Sequence, residues 1–155
     1  MKETKYTELL RAIESMADDE TDPITILSTV SCELFHAFDH VNWAGFYRRV
    51  DEQTLKVGPY QGTHGCLTIP IAKGVCGKCV RENTVQIEHD VKSLPHHIAC
   101  SPDTRAEIVL PLRNSAGNVW AVLDIDSTQP GAFDETDIRF LTQLCSWIDG
   151  KIPNA

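Results

Sequence analysis

Two apolar segments, Glu107–Arg113 and Val119–Asp126, stand on either side of Asn114-Ser-Ala-Gly-Asn118 and constrain this chain more than anything else in it. Runs rich in Val, Leu and Ile with a polar, Gly-containing connection predict two antiparallel strands of a hairpin. The polar residues at their ends are acidic. Asp124 and Asp126 close the second strand and share a face, because strand side chains repeat every two residues. Glu107 opens the partner strand and is expected close by. Three converging acids repel one another unless a cation or shared protons compensate. A metal ion could do so, and so could a ligand ammonium group; the plainer alternative is three exposed acids at strand ends.

The rest of the chain arranges itself around this hairpin. Leu9, Leu10, Ile13 and Met16 recur at helical spacing over Lys5–Met16. After the acidic break at 18–22, Asp22-Pro23 reads as an N-cap followed by Pro at the first helical position. Ile24, Leu27, Val30, Leu34 and Phe38 form the stripe of a second helix. Residues 42–49 and 55–60 predict a hairpin about the turn at Asp51–Thr54, and Cys66–Ile71 another strand. Lys73-Gly74 turns into a short helix at Val75–Glu82, followed by a short strand at 85–88. Residues 92–104, with Pro95 and Pro102, form a loop of about a dozen residues, a length often functional in compact domains. Asp134–Asp137 caps a closing helix whose apolar face is Ile138, Leu141, Leu144 and Ile148. The order predicts an α+β fold: a central antiparallel sheet, N- and C-terminal helices on one face, and a loop-covered pocket on the other.

At 155 residues the chain is expected to form one domain, 1–155. A chain of this length buries roughly 70% of its unfolded surface without a disulfide or metal. Its net charge of −8 argues against binding a phosphate backbone, so no nucleic-acid partner is expected. The polar start Met1–Lys5 leads into no apolar region, so no signal peptide is expected. No run approaches the roughly 18 apolar residues of a membrane span, and no membrane partner is expected. The expected compartment is the cytoplasm, where six cysteines serve as thiols, ligands or catalytic groups.

Cys32 and Cys145 fall within or beside helical stripes and read as small core residues. Cys66, Cys76 and Cys100 sit at strand ends or in loops beside Gly or Pro, where a thiol can be reached. Cys76 lies in the first turn of the short helix, a place that stabilises a thiolate. Cys100 follows His96 and His97, which read as loop residues at a site rim. Cys76-Gly-Lys-Cys79 is a C-x-x-C, but no thioredoxin-like βαβ pattern surrounds it and no second pair gives zinc spacing, so no resident metal is expected. Ala72-Lys-Gly-Val-Cys-Gly-Lys-Cys79 falls short of a phosphate loop, with Ala72 for the first Gly and Cys79 for the Ser/Thr. The helix N-terminus still suits an anion, a carboxylate better than a nucleotide. Trp43 and Tyr47 alternate about Gly45 on one strand face and could wall a gap for an apolar group, or be ordinary core aromatics.

Asn42-Trp-Ala-Gly-Phe-Tyr47, Gly58-Pro-Tyr-Gln-Gly62, Gly74-Val-Cys-Gly77, His97-Ile-Ala-Cys100, Glu107-Ile-Val-Leu-Pro-Leu112 and Leu123-Asp-Ile-Asp-Ser127 resemble the free methionine-(R)-sulfoxide reductases, which are stand-alone GAF domains. The resemblance runs from about Asn42 to Asp137 and more loosely through the terminal helices. It implies that Cys100 is the catalytic cysteine, Cys66 the resolving one, and Cys76 a third that can enter disulfide exchange. It implies that Glu107, Asp124 and Asp126 hold the substrate amino group and polarise the sulfoxide, with Trp43 and Tyr47 about its methyl group. Gly65 before Cys66 and the extra Cys79 depart from the pattern, and Cys79 leaves the resolving cysteine open. The implied chemistry is thiolate attack on the sulfoxide sulfur, a sulfenic acid on Cys100, and condensation with a second thiol. The implied reductant is thioredoxin, fed by NADPH through thioredoxin reductase, with no bound cofactor. Oligomeric state is left open, a homodimer included. The rival reading is a GAF module that senses a small ligand without catalysis.

Overall fold

The computed structural model describes residues 1–95 and 100–155. In chain order the elements are α1 (Lys2–Met16), α2 (Pro23–Ala37), β1 (Val41–Arg49), β2 (Thr54–Gly62), β3 (Thr68–Pro70), α3 (Gly74–Glu82), β4 (Gln86–Glu88), a 3-10 turn (Val91–Ser93), β5 (Ala106–Arg113), β6 (Val119–Ser127) and α4 (Glu135–Lys151). The strands form one sheet in the order β3-β2-β1-β6-β5-β4, every neighbouring pair antiparallel. The anticipated β5–β6 hairpin is therefore at the heart of the sheet. Its loop is closed by Asn114, whose Oδ1 accepts from the backbone N–H groups of Ala116 and Asn118. Gly117 takes φ +84° there, a conformation open to a residue without Cβ.

Strand alternation splits the apolar residues into two layers. Ala44 and Phe46 of β1, Ile108, Leu110 and Leu112 of β5, and Ala121, Leu123 and Ile125 of β6 pack under α1, α2 and α4. The opposite face carries Trp43, Tyr47, Val109 and Val122 and is covered by α3 and the loop before β3. The terminal helices thus share one face, as expected, and the site face lies on the other.

Local chemistry explains the helix ends. The Asp22 carboxylate accepts from the Thr25 N–H at 2.9 Å, with Pro23 at the first helical position of α2. Asp134 and Asp137 form a reciprocal capping box at α4. Buried Asp137 also accepts from Tyr6 Oη at 2.6 Å and Lys2 Nζ at 2.7 Å, which ties α1 to α4.

Some expectations shift. Met16 and Ile24 were placed on apolar stripes but are 57% and 70% exposed; Ile26 is buried instead. The strand expected over Cys66–Ile71 shortens to Thr68–Pro70, the residues in register with β2, with the Leu67 carbonyl still accepting from Val57 N–H at 3.1 Å. Cys66 is left in the loop that crosses the site face. Leu123, fully buried mid-sheet, tests the helix-side core. Leu123→Ala is expected to cost ~2–5 kcal/mol by lost burial and a residual cavity, read from urea unfolding midpoints.

Candidate active site

The sheet register places the acids. Glu107 on β5 faces Asp126 on β6, and Asp126 faces Trp43 on β1. One row further along, Asp124 faces Val109 on one side and Gly45 on the other. All three carboxylates line a cavity whose space, counting its open mouth, is about 530 Å³.

One wall is aromatic. The Trp43 ring stacks on Tyr47 at 5.6 Å between centroids and on Tyr60 at 5.2 Å. Gly45 permits this, since a Cβ there would stand 2.3 Å from Tyr60 Cβ. The space beside Gly45 is therefore taken partly by Tyr60, and Trp43 and Tyr47 contribute both to the packed layer and to the cavity wall. Tyr47 Oη donates to the Cys66 carbonyl at 3.0 Å and so holds the loop carrying that cysteine.

The other wall is α3, whose N-terminal residues Gly74, Val75 and Cys76 line the cavity. Gly77 lets the helix sit close, because a Cβ there would be 2.3 Å from the Ile71 carbonyl oxygen. The same carbonyl accepts from the Arg81 guanidinium.

A disulfide between Cys66 and Cys100, with Cα atoms 5.2 Å apart, stands at the mouth. Both cysteines are half-buried and Cys100 lines the cavity. The loop that carries Cys100 is tied at its base: Arg105 makes a two-pronged ion pair with Asp90, at 3.1 and 2.7 Å, and its carbonyl accepts from Val91 N–H at 2.7 Å. The expectation for His96 and His97 falls outside the described residues.

Cys32, Cys76, Cys79 and Cys145 are free thiols. Cys145 is buried as expected, while Cys32 is half-buried. Cys76 departs from expectation. It is buried, not readily reached, and its thiol is pushed well up by that burial and then by the charges of Asp124, Glu107 and Asp126. The acids beside it outweigh the helix N-terminus that was expected to stabilise a thiolate. Burial likewise pushes the Cys79 thiol up to about 12.

The acids are strongly perturbed too. Burial, then the charges of Asp126 and Glu107, raises the Asp124 carboxyl well above the usual range. Burial, then Glu107, does the same for Asp126. Asp124, Glu107 and the Cys76 thiol lie within 4.8 Å of one another, and Asp126 adjoins Glu107 across the strand pair. Buried carboxyls this close to one another favour keeping a proton among them. Asp124 Oδ1 and Asp126 Oδ1 remain without a partner, as does the buried Trp43 Nε1.

All the residues singled out from the sequence on this face are thus brought around one cavity: Cys100 with Cys66 at the mouth, Cys76 and the aromatics in the walls, and the acids in the floor. His64, Ile69, Ser101 and Thr104 also line it. The cue to Thr104 was its place at the end of a long loop; His64 and Ile69 carried no distinguishing pattern.

A curled antiparallel sheet with helices on one face and a cavity on the other is the GAF fold, here with the Cys66–Cys100 disulfide at the cavity mouth. The GAF domain family model matches residues 22–150. Among curated proteins the chain is 42% identical to Protein YtsP of Bacillus subtilis, over 96% of this chain and 91% of that one. It is 39% identical to the free methionine-R-sulfoxide reductase of Escherichia coli, over 93% of this chain and 86% of that one. Among solved structures, the Neisseria meningitidis free methionine-R-sulfoxide reductase in complex with its substrate superposes with a TM-score of 0.92 at 38% identity, covering 97% of this chain and 90% of that one. The chain belongs to the free methionine-(R)-sulfoxide reductase family of GAF domains.

Proposed function

We infer that this chain reduces free methionine-(R)-sulfoxide to methionine, with Cys100 as the attacking thiol and Cys66 as the thiol that resolves it. The single observation that carries the assignment is the Cys66–Cys100 disulfide at the mouth of a cavity floored by three acids. In the first half-reaction the Cys100 thiolate attacks the sulfoxide sulfur. The oxygen passes to Cys100 as a sulfenic acid, and the thioether leaves as methionine. Cys66 then displaces that oxygen as water, forming the disulfide. An external dithiol completes the cycle by exchange and becomes a disulfide itself.

The sulfoxide oxygen gains negative charge as sulfur is attacked, so it needs a proton donor at hand. The acid trio supplies one, since raised carboxyls keep their proton near neutral pH. The remaining negative charge of the trio receives the substrate ammonium. The α3 N-terminus, whose first backbone N–H groups find no partner within the helix, suits the carboxylate. Trp43 and Tyr47 offer an apolar wall to the methyl group. Peptide-bound methionine lacks the ammonium, so the site prefers the free amino acid. A redox pair at the mouth favours catalysis over passive sensing.

Thioredoxin, with NADPH and thioredoxin reductase, fits the reductant: its potential is low enough to reduce an accessible disulfide. Such a cycle belongs in the cytoplasm. No helix among the described residues is long and apolar enough to cross a membrane. The apolar layer shared by α1, α2 and α4 supports residues 1–155 acting as one GAF unit.

The test is NADPH oxidation in the presence of thioredoxin and its reductase. Turnover is expected with the free R sulfoxide and not with the S epimer or the N-acetylated sulfoxide. Equal rates with the N-acetylated compound would remove the ammonium argument; no turnover with the free R sulfoxide would remove the function.

A further inference from the structure

The acid trio does not stand alone: a thiol joins it. One ligand atom each from Cys76, Glu107 and Asp124 lie within 4.8 Å of one another. The three residues are buried and come from α3, β5 and β6, so three separate elements converge on one point. Asp124 is 5% exposed, lines the cavity, and has one carboxylate oxygen without a hydrogen-bond partner. Among the described residues no lysine or arginine lines the cavity to offset this charge. One sulfur and two carboxylate oxygens are a donor set that a tetrahedral, borderline-soft divalent ion accepts, with solvent as its fourth ligand.

We propose that Cys76, Glu107 and Asp124 bind a zinc-like divalent cation, which blocks the substrate pocket as a reversible inhibitor. Only the competition with substrate rests on the function inferred above; the binding itself does not. On entry of the ion an Sγ–metal bond and two carboxylate–metal bonds form, and the thiol proton and the proton held by the ligating carboxyls pass to solvent, with nothing oxidised or reduced. Cys66 and Cys100 take no part. That separates this site from capture of zinc by the catalytic thiols, which requires the reduced enzyme.

The disulfide form of the full chain, stripped of metal, is titrated with Co²⁺ alone. One equivalent is expected to bind, with the near-ultraviolet sulfur-to-cobalt absorption that reports a thiolate ligand, and Zn²⁺ is expected to displace it. Cys76→Ser should remove that absorption, Asp124→Asn should weaken binding about tenfold or more, and Cys79→Ala should change neither. Circular dichroism and retention of the disulfide verify that each variant is folded. Absence of binding up to about 1 mM cobalt, absorption that survives Cys76→Ser, or absorption that arises only after reduction would each overturn the site. Free methionine is then added to the cobalt form. If it displaces the ion, the competition stands. If cobalt stays bound at saturating methionine, the competition fails, and with it the assignment of the trio to the ammonium, while the metal site is still decided by Cys76→Ser and Asp124→Asn.

Discussion

Cys100→Ser is expected to lower turnover of free methionine-(R)-sulfoxide by more than about 10³-fold, because a serine hydroxyl is neither ionised nor nucleophilic enough to attack a sulfoxide sulfur. Cys66→Ser should behave differently. Cys100 remains able to attack, so one equivalent of methionine forms per chain, and the oxygen is stranded on Cys100 as a sulfenic acid. A sulfenic-acid trapping reagent followed by mass measurement should label Cys100 in Cys66→Ser and nothing in Cys100→Ser. Steady-state turnover of Cys66→Ser then depends on how well another thiol substitutes. Cys76 lines the same cavity but is buried with a raised thiol, so its rescue should be slow. Full activity in Cys100→Ser would end the proposed mechanism. Full activity in Cys66→Ser would move the resolving role to another cysteine.

The fold was largely legible because its signals are local and strong. The β5–β6 pair announces itself through unbroken apolar character, Asp22-Pro23 and Asp134–Asp137 are stop-and-start marks of helices, and all three work as written. The convergence of the acids was equally legible, since a period of two along β6 and a short hairpin leave Glu107 no other neighbourhood. What the sequence did not disclose depends on long-range packing. Cys76 reads as an accessible thiol at a helix start, yet α3 lies flat on the sheet and turns that thiol onto the acids. The loop at 63–67 has no period of its own. Its position is set by Tyr47 bonding to the Cys66 carbonyl and by Gly65 lying against Trp43 and Tyr47. The pairing of Cys66 with Cys100 came only from resemblance; spacing alone left Cys76 and Cys79 as rivals, and burial is what sets those two apart.

Asp124→Asn is expected to make the protein more stable and much less active at once. Burial and the neighbouring acids raise the Asp124 carboxyl far above its ordinary value. In the unfolded chain it titrates near about 4. Between those two values the folded state binds more protons than the unfolded state, so unfolding free energy falls as pH rises. Below pH ~4 both states are protonated and the group costs nothing. The penalty then grows with pH until the folded carboxyl itself ionises, and is constant beyond that. Asparagine never ionises, keeps an acceptor for the Cys76 thiol, and gains N–H donors toward its acidic neighbours. The variant and the parent should therefore melt together near pH 4, with the variant ahead by a margin that widens toward neutrality, each kcal/mol appearing as ~2–4 °C in Tm. Activity should move the other way. Removing a carboxyl that shares the trio's proton and faces the substrate ammonium is expected to lower kcat/KM by ~10² or more. In the parent, activity should decline at high pH as the trio loses its shared proton, with an apparent pKa that belongs to the coupled set. Thermal melts of both proteins across the pH range, beside rate profiles, decide the matter. A variant less stable by the same margin at every pH would mean that Asp124 is held in place as a charged partner, and that the acids do not carry the proton the reduction requires.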